Sequence, residues 1–148
     1  MIPYCPSRAR NSARYHARMI HAVECQTGMC HTREANRRED YRAIDHWFNA
    51  HITAQFKVQT SPAYETWTVQ CGMWHYAVDW YVFAHPRTQR IYIIPGHALH
   101  GLERLRYDGP KTNQPFYYGP LSDIADHPEG IVTDMNGVLI CDDLEDMA

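Results

Sequence analysis

In Ile44-Asp45-His46-Trp47-Phe48-Asn49-Ala50-His51-Ile52-Thr53-Ala54-Gln55-Phe56-Lys57-Val58, two short apolar runs flank a polar break. Ala43 to Phe48 reads as a strand carrying one acid, Asn49-Ala50-His51 as a turn, and Ile52 to Thr60 as a second strand. In the second run Ile52, Ala54, Phe56 and Val58 alternate with Thr53, Gln55, Lys57 and Gln59. A period of two sends the apolar set to one face and the polar set to the other. Gln55 and Lys57 therefore point the same way, and the short turn makes their strand an antiparallel neighbour of the one holding Asp45.

Outward from this hairpin, residues 11 to 25 open on the capping pair Asn11-Ser12 and space apolar residues as an amphipathic helix, which Gly28 ends. Met29 to Arg33 reads as a short strand. Downstream, Ser61-Pro62 has the form of a helix start, with the serine as cap and the proline in the first turn, which predicts a helix to about Gln70. Tyr76 to Ala84 and Arg90 to Ile94 are rich in aromatic and β-branched residues and read as buried strands joined by a turn at His85 to Gln89. His97 to Arg106 reads as helical, and the Pro- and Gly-rich stretch 108 to 130 as irregular. Asn136-Gly137, between Val132 to Met135 and Val138 to Cys141, is a hairpin signal. The order helix, strand, strand, strand, helix, strand implies an α/β or α+β architecture in a single domain over 1–148, with its core at about 11–95 and an acidic extension from about 108.

The composition bounds the rest. A chain of 148 residues that is 45% hydrophobic can bury about two thirds of its unfolded surface, enough for one core. No apolar run reaches the roughly 18 residues of a membrane span, and Met1-Ile2-Pro3-Tyr4-Cys5-Pro6 lacks the apolar region of a signal peptide, so a cytoplasmic location without membrane contact is expected. Five cysteines, an odd number, argue for reduced thiols or a metal site over a disulfide framework. The net charge of -3 is unevenly spread: residues 1 to 42 carry eight arginines against four acids, and 121 to the end carry eight acids without a Lys or Arg. That excludes a uniformly basic nucleic-acid binder but leaves an arginine-rich face for phosphate.

Asp45, Gln55 and Lys57 form the chemically informative set. The hard oxygens of Asp45, Gln55 and the Phe56 carbonyl suit magnesium or manganese, which keep several waters and need few protein ligands. Lys57 offers a compact positive charge for the transition state of phosphodiester cleavage. The plain alternative is an amphipathic strand with a solvated Gln and Lys and an acid in a turn. Only two of the fourteen basic residues are lysines, and one of the two falls here.

The order of elements, with Ile44-Asp45-His46-Trp47 followed by Gln55-Phe56-Lys57-Val58-Gln59-Thr60, resembles the PD-(D/E)XK nuclease superfamily. That family's core is a helix, three strands, a helix and a strand, with Asp on the second strand and (Glu/Gln)-x-Lys on the third. The later Val78 to Phe83 and Arg90 to Pro95 also look like the strand pair of small resolvase-like and mobile-element members. The resemblance spans about residues 11 to 95. It implies a restriction-endonuclease-like fold and a magnesium-dependent endonuclease with Asp45, Gln55 and Lys57 as its site. Gln55 departs from the commoner Glu and removes one negative charge. The family often adds a Glu from the first helix, here Glu24, with Glu34 or Glu39 as substitutes; Asp40 would join if the chain bends before Asp45.

Other constellations are weighed beside this one. Cys25-x4-Cys30 and Cys71-x3-His75 could supply a structural zinc site, against the reading of Cys25 and Cys71 as small core residues. His97-x2-His100 has no acid partner at hydrolase spacing. Trp74, Tyr76, Trp80, Tyr81 and Phe83 are either base-stacking rings or core. Arg8, Arg10, Arg14 and Arg18 recur at near-helical spacing and, with Arg37 and Arg38, would meet DNA phosphates. Two function classes follow: a DNA-cutting enzyme, which could act as a homodimer, and a non-catalytic phage or mobile-element inhibitor on the same scaffold, whose acidic C-terminal segment would bind a host protein partner by imitating DNA charge.

Overall fold

The alternating stretch folds as an antiparallel pair, but the first strand begins at His46, which leaves Ala43 to Asp45 outside it, and the second ends at Val58. His46–Phe48 and Ile52–Val58 pair antiparallel, with His46 opposite Ala54 and Trp47 opposite Thr53. The structure, a computed structural model, describes residues 6–59, 65–102, 105–107 and 116–135, the side chains of 6–13, 71 and 105–107 excepted. In chain order the elements are α1 (Pro6–Thr27), β1 (His31–Glu34), α2 (Arg37–Asp40), β2 (His46–Phe48), β3 (Ile52–Val58), β4 (Thr66–Gln70), α3 (Cys71–Trp74), β5 (Trp80–His85), β6 (Arg90–Pro95), α4 (Gly96–Gly101), β7 (Leu105–Tyr107), β8 (Phe116–Pro120), α5 (Ser122–Ala125) and β9 (Ile131–Asp134). This is a mixed α/β architecture. Among the described residues no helix is long and apolar enough to cross a membrane.

The central sheet runs β1-β2-β3-β5-β6-β9. Every neighbouring pair is antiparallel except β3 and β5, which are parallel, with Gln55 beside Tyr81 and Lys57 beside Phe83. A parallel pair needs a crossover. The chain between β3 and β5 supplies it and carries β4 and α3 on the way.

Alternation along the middle strands splits the core into two layers. Phe48, Ala54, Phe56, Val82, Ala84, Ile91 and Ile93 pack beneath Met19, Ala22 and Val23 of α1. Tyr81, Phe83, Tyr92 and Ile94 face the other way, toward Trp67 and Val69 of β4, Leu99 of α4 and Ile124 of α5. Strands covered on both faces read as unbroken apolar runs, which is why Tyr81 to Ala84 and Ile91 to Ile94 show no alternation in sequence. Gln55 and Lys57, out of phase with Ala54 and Phe56, share the face of Tyr81 and Phe83.

Several boundaries differ from expectation. Helix α1 starts at Pro6, more than a turn before the Asn11-Ser12 pair, and closes where expected at Gly28, whose φ of 77° and amide bond to the Glu24 carbonyl form a left-handed cap. The helix read into 61 to 70 is a strand over Thr66–Gln70, joined to β8 and β7 in a second sheet of order β4-β8-β7. Trp67 and Val69 are buried and their neighbours are not, a strand's period of two. The helix expected to reach Arg106 stops at Gly101, and β7 follows. The stretch expected to be irregular contains β8 and α5. Of the C-terminal hairpin, the first arm is β9, paired to β6; Asn136-Gly137, the second arm and the acidic end lie outside the described residues.

The hairpin turn carries positive φ at Asn49 (49°) and Ala50 (67°). Asn tolerates that region, whereas an alanine Cβ crowds the backbone there at a cost of roughly 1–2 kcal/mol. Ala50→Gly is therefore expected to raise stability by about 0.5–1 kcal/mol after the extra flexibility of glycine in the unfolded chain is counted, and Ala50→Val to lower it. Urea melts of the two variants check the sign.

Candidate phosphodiester-cleaving site

Asp45 lies immediately before β2 and keeps its place in the ladder, its amide donating to the Ala54 carbonyl at 2.9 Å. The register puts it across from Gln55, and its Oδ2 accepts the Phe56 amide at 2.7 Å. It reaches this position because the chain bends just upstream. Short helix α2 begins with a reciprocal cap, in which Asn36 Oδ1 takes the Glu39 amide and Glu39 Oε1 takes the Asn36 amide, both at 2.9 Å. It ends at Asp40, and a positive φ of 65° at Ala43 turns the backbone into β2. The turn brings the Asp40 carboxyl into hydrogen-bonding contact with that of Asp45.

A buried carboxyl beside a second one does not ionise freely. Asp45 is pushed up to about 7, first by burial and then by its Asp40 neighbour, against the opposing pull of the Phe56 amide and the Lys57 ammonium. Lys57 is lowered from its ordinary value because burial outweighs the attraction of Asp45. Asp40, Asp45 and Lys57 thus form one electrostatic unit. Beside them Gln55 Oε1 is buried and has no hydrogen-bond partner among the described residues.

An unpartnered buried oxygen is an uncommon expense in a folded chain, and one that a ligand would remove. A carboxyl pair holding a proton it would otherwise lose, together with that oxygen, fits a hard divalent cation, which takes oxygen donors and retains waters. Among the described residues no group of three or more His, Cys, Asp or Glu side chains is arranged to hold a metal, so such an ion would depend on the amide oxygen of Gln55 and on water.

A cavity of about 240 Å³ opens against Asp45 and Asp40 and is also lined by Glu34, Asn36, Arg37 and His16. The chain matches no protein-family model and no curated protein. The site therefore stands on its own geometry.

The other expected residues scatter. Glu24 does not reach the carboxyl pair: its Oε2 accepts the His31 amide at 3.0 Å, and His31 pairs with Phe48, at the opposite end of β2 from Asp45. Glu39 is committed to a two-pronged bond with Arg33 at 2.7 and 2.8 Å, which with the Asn36 amide holds it down at about 2. Asp40 takes the place expected of Glu24, and Glu34 lines the cavity. Arg37 lines it too, Arg38 and Arg42 are exposed nearby in sequence, and Arg14 is exposed on α1. Arg18 lies over the Tyr15 ring at 5.6 Å, while the side chains of Arg8 and Arg10 lie outside the described residues.

The two halves of the proposed zinc set sit on different elements. Cys25 Sγ is 3.4 Å from His21 Nε2 within α1, and Cys25 and Cys30 are exposed free thiols. Exposure removes the reading of Cys25 as a core residue. His75 packs on Tyr76, and the Cys71 side chain lies outside the described residues. His97 pairs with Glu129 at 3.1 Å, and His100 stacks on Trp74 at 3.9 Å and bonds the Tyr81 hydroxyl. Trp74, Tyr81 and Phe83 belong to the core, and Tyr76 is 39% exposed.

Sequence reasoning missed His16. Its Nδ1 is 2.9 Å from Nε2 of buried His46, whose Nδ1 is 3.1 Å from Nε2 of His31. Burial lowers His16 to about 4, against the pull of Asp40, and lowers His46 to about 3, so both rings are neutral at ordinary pH. Nothing local marks His16, because its partner is thirty residues away.

Proposed function

We propose that the chain is a metal-dependent deoxyribonuclease that hydrolyses phosphodiester bonds at the Asp40–Asp45–Gln55–Lys57 site. The single observation that carries this reading is the placement of the Asp45 carboxyl, which borders a cavity also lined by Asp40, Glu34 and Arg37 and lies across the ladder from a buried Gln55 oxygen with no hydrogen-bond partner among the described residues. The sheet order lends partial support: a helix, three consecutive antiparallel strands and a crossover to a parallel fourth strand agree with the order of a PD-(D/E)XK core, but the crossover carries β4 and the four-residue α3 where that core has a helix.

Asp45, Asp40, Gln55 and the Phe56 carbonyl are the groups that would hold magnesium or manganese. A bound ion of this kind would polarise the phosphate and lower the pKa of a bound water. The protein does the remaining work. Arg37 at the cavity edge, with Arg38 beside it, binds the phosphate backbone and sets position more than sequence choice. Lys57 places its ammonium where negative charge builds on the phosphoryl oxygens, a half-buried location in which a fixed charge acts more strongly than in water.

Lys57→Ala separates this reading from a solvated strand. With plasmid and single-stranded DNA in magnesium or manganese, the parent is expected to cleave and the variant to be slower by a hundredfold or more. Equal rates would remove Lys57 from the chemistry, and intact DNA with the parent would remove the reading itself.

A further inference from the structure

The turn that carries the chain from α2 into β2 holds side chains that the fold itself leaves unused. Tyr41 is 68% exposed, more than any other large apolar side chain among the described residues, and its ring makes no ring contact or hydrogen bond there. The guanidiniums of Arg37, Arg38 and Arg42 are exposed and form no hydrogen bond or ion pair among the described residues. Arg33 nearby is committed instead to Glu39 and to the face of Trp47. The backbone beneath Tyr41 is tied down: its amide donates to the Arg37 carbonyl at 3.4 Å, that of Arg42 to Glu39 at 2.9 Å and that of Ala43 to Asp40 at 3.0 Å. A ring on an anchored turn loses little freedom when a ligand covers it.

Spacing sets what these side chains face. Tyr41 still has helical backbone angles (φ -63°, ψ -18°), so Arg37 and Arg38, four and three residues before it, lie on its side of the turn. Arg37 lines the cavity at Asp40 and Asp45, which puts the Tyr41 ring beside the cavity's rim. Of the two acids in this stretch, Glu39 is neutralised by Arg33 and Asp40 is bonded to Asp45, so the outward charge is that of the arginines. A flat exposed ring among free guanidiniums is complementary to nucleic acid, whose phosphates take the cations and whose bases take the ring face. A duplex keeps its bases stacked on one another and offers the ring no face. An unpaired strand offers one at every base.

We propose that Tyr41 is a stacking platform for an unpaired base of a DNA strand, which Arg37, Arg38 and Arg42 hold by its phosphates as it enters the cavity. The choice of DNA rests on the nuclease reading and narrows its substrate to single-stranded or locally unpaired DNA. Tyr41 binds and takes no part in the chemistry.

The test is the affinity of a short labelled oligonucleotide, read with calcium in place of magnesium, as a single strand, as the same strand with abasic sites, and as a duplex. The parent should bind the intact single strand most tightly. Tyr41→Ala should weaken that binding by about fivefold to a hundredfold and leave the abasic strand and the duplex within about twofold, while Tyr41→Phe, which keeps the ring face, should stay within about threefold of the parent. Arg38→Gln should weaken all three ligands and lower the salt dependence on the single strand by about 0.7 in log–log slope. An unchanged affinity in Tyr41→Ala, an equal loss on all three ligands, a parent that prefers duplex, or a parent that binds none of the three overturns the platform. Where one of these accompanies cleavage by the parent in magnesium, the nuclease reading stands without it. A base-dependent loss in a protein that cuts no DNA supports the platform and overturns the nuclease reading.

Discussion

Asp45→Asn is expected to abolish DNA hydrolysis, by a thousandfold or more, while making the fold more stable at pH 8. The two effects share a cause. Asp45 titrates at about 7 in the folded chain, mainly because it is buried, and near 4 when unfolded. Between those values the folded state holds a proton that the unfolded state has released, so this group's contribution to stability is complete below about pH 4 and is lost as pH rises through 7. At pH 8 the protein carries a buried charge whose comfort depends on Lys57 or on a bound cation. Asparagine has the same shape, and its Oδ1 can still accept the Phe56 amide. The gain should be about 2 kcal/mol at pH 8, below the full linkage value because Lys57 loses a partner. It should vanish near pH 4. His16 and His46 work in the opposite sense: lowered to about 4 and 3, they contribute stability that is lost as pH falls below about 6.5. In Asp45→Asn only that histidine dependence should remain of the two, and urea melts from pH 4 to 8 would show it. A variant no more stable than the parent at pH 8 would mean that the carboxyl is not strained.

Gly96→Ala is expected to cost about 4 kcal/mol or more. Gly96 ends the β6 run and opens α4, with its amide bonded to the Asp79 carbonyl at 2.7 Å. A Cβ there would collide with the Val78 carbonyl oxygen and come within 3.1 Å of its carbon. Backbone cannot give as a side-chain tip can, so α4 must shift, and with it Ala98 and Leu99 in the second core layer. Gly119→Ala is the milder comparison. Its Cβ would meet Asp123 Oδ2 and Trp67 Nε1 at 2.8 Å, side-chain atoms where Gly96 meets backbone, although the buried Trp67 ring has little room to move. Thermal melts should order the variants as parent, Gly119→Ala, Gly96→Ala; the reverse order would contradict the packing.

What was legible in the sequence follows from how local its signals are. The β2–β3 hairpin shows because alternation and turn lie within fifteen residues, and β5 and β6 show because strands buried on both faces leave unbroken apolar runs. The helix read into 61 to 70 failed where two local signals competed. Ser61-Pro62 has the chemistry of a helix start, while Thr66-Trp67-Thr68-Val69-Gln70 alternates, and the second sheet rewards the alternation by burying Trp67 and Val69. Proline and glycine suggested irregular chain around 108 to 130, yet Phe116 to Tyr118 fill the middle strand of that second sheet. In the site, the neighbourhood of Asp45, Gln55 and Lys57 could be drawn from register alone. Asp40 could be added only on condition of a bend, which the positive φ of Ala43 provides. His16 was invisible, because a polar residue within a helix reveals its role only when a strand thirty residues later comes to lie against it.

The central claim is that this site hydrolyses DNA with the help of a divalent ion. The most direct measurement is the rate at which an end-labelled oligonucleotide is cut at pH 8 by the parent and by Asp45→Asn, each with magnesium and with the ion chelated. Cleavage by the parent alone, and only with the metal, is the result expected. Intact substrate in every lane, or cutting that survives either Asp45→Asn or chelation, would contradict it.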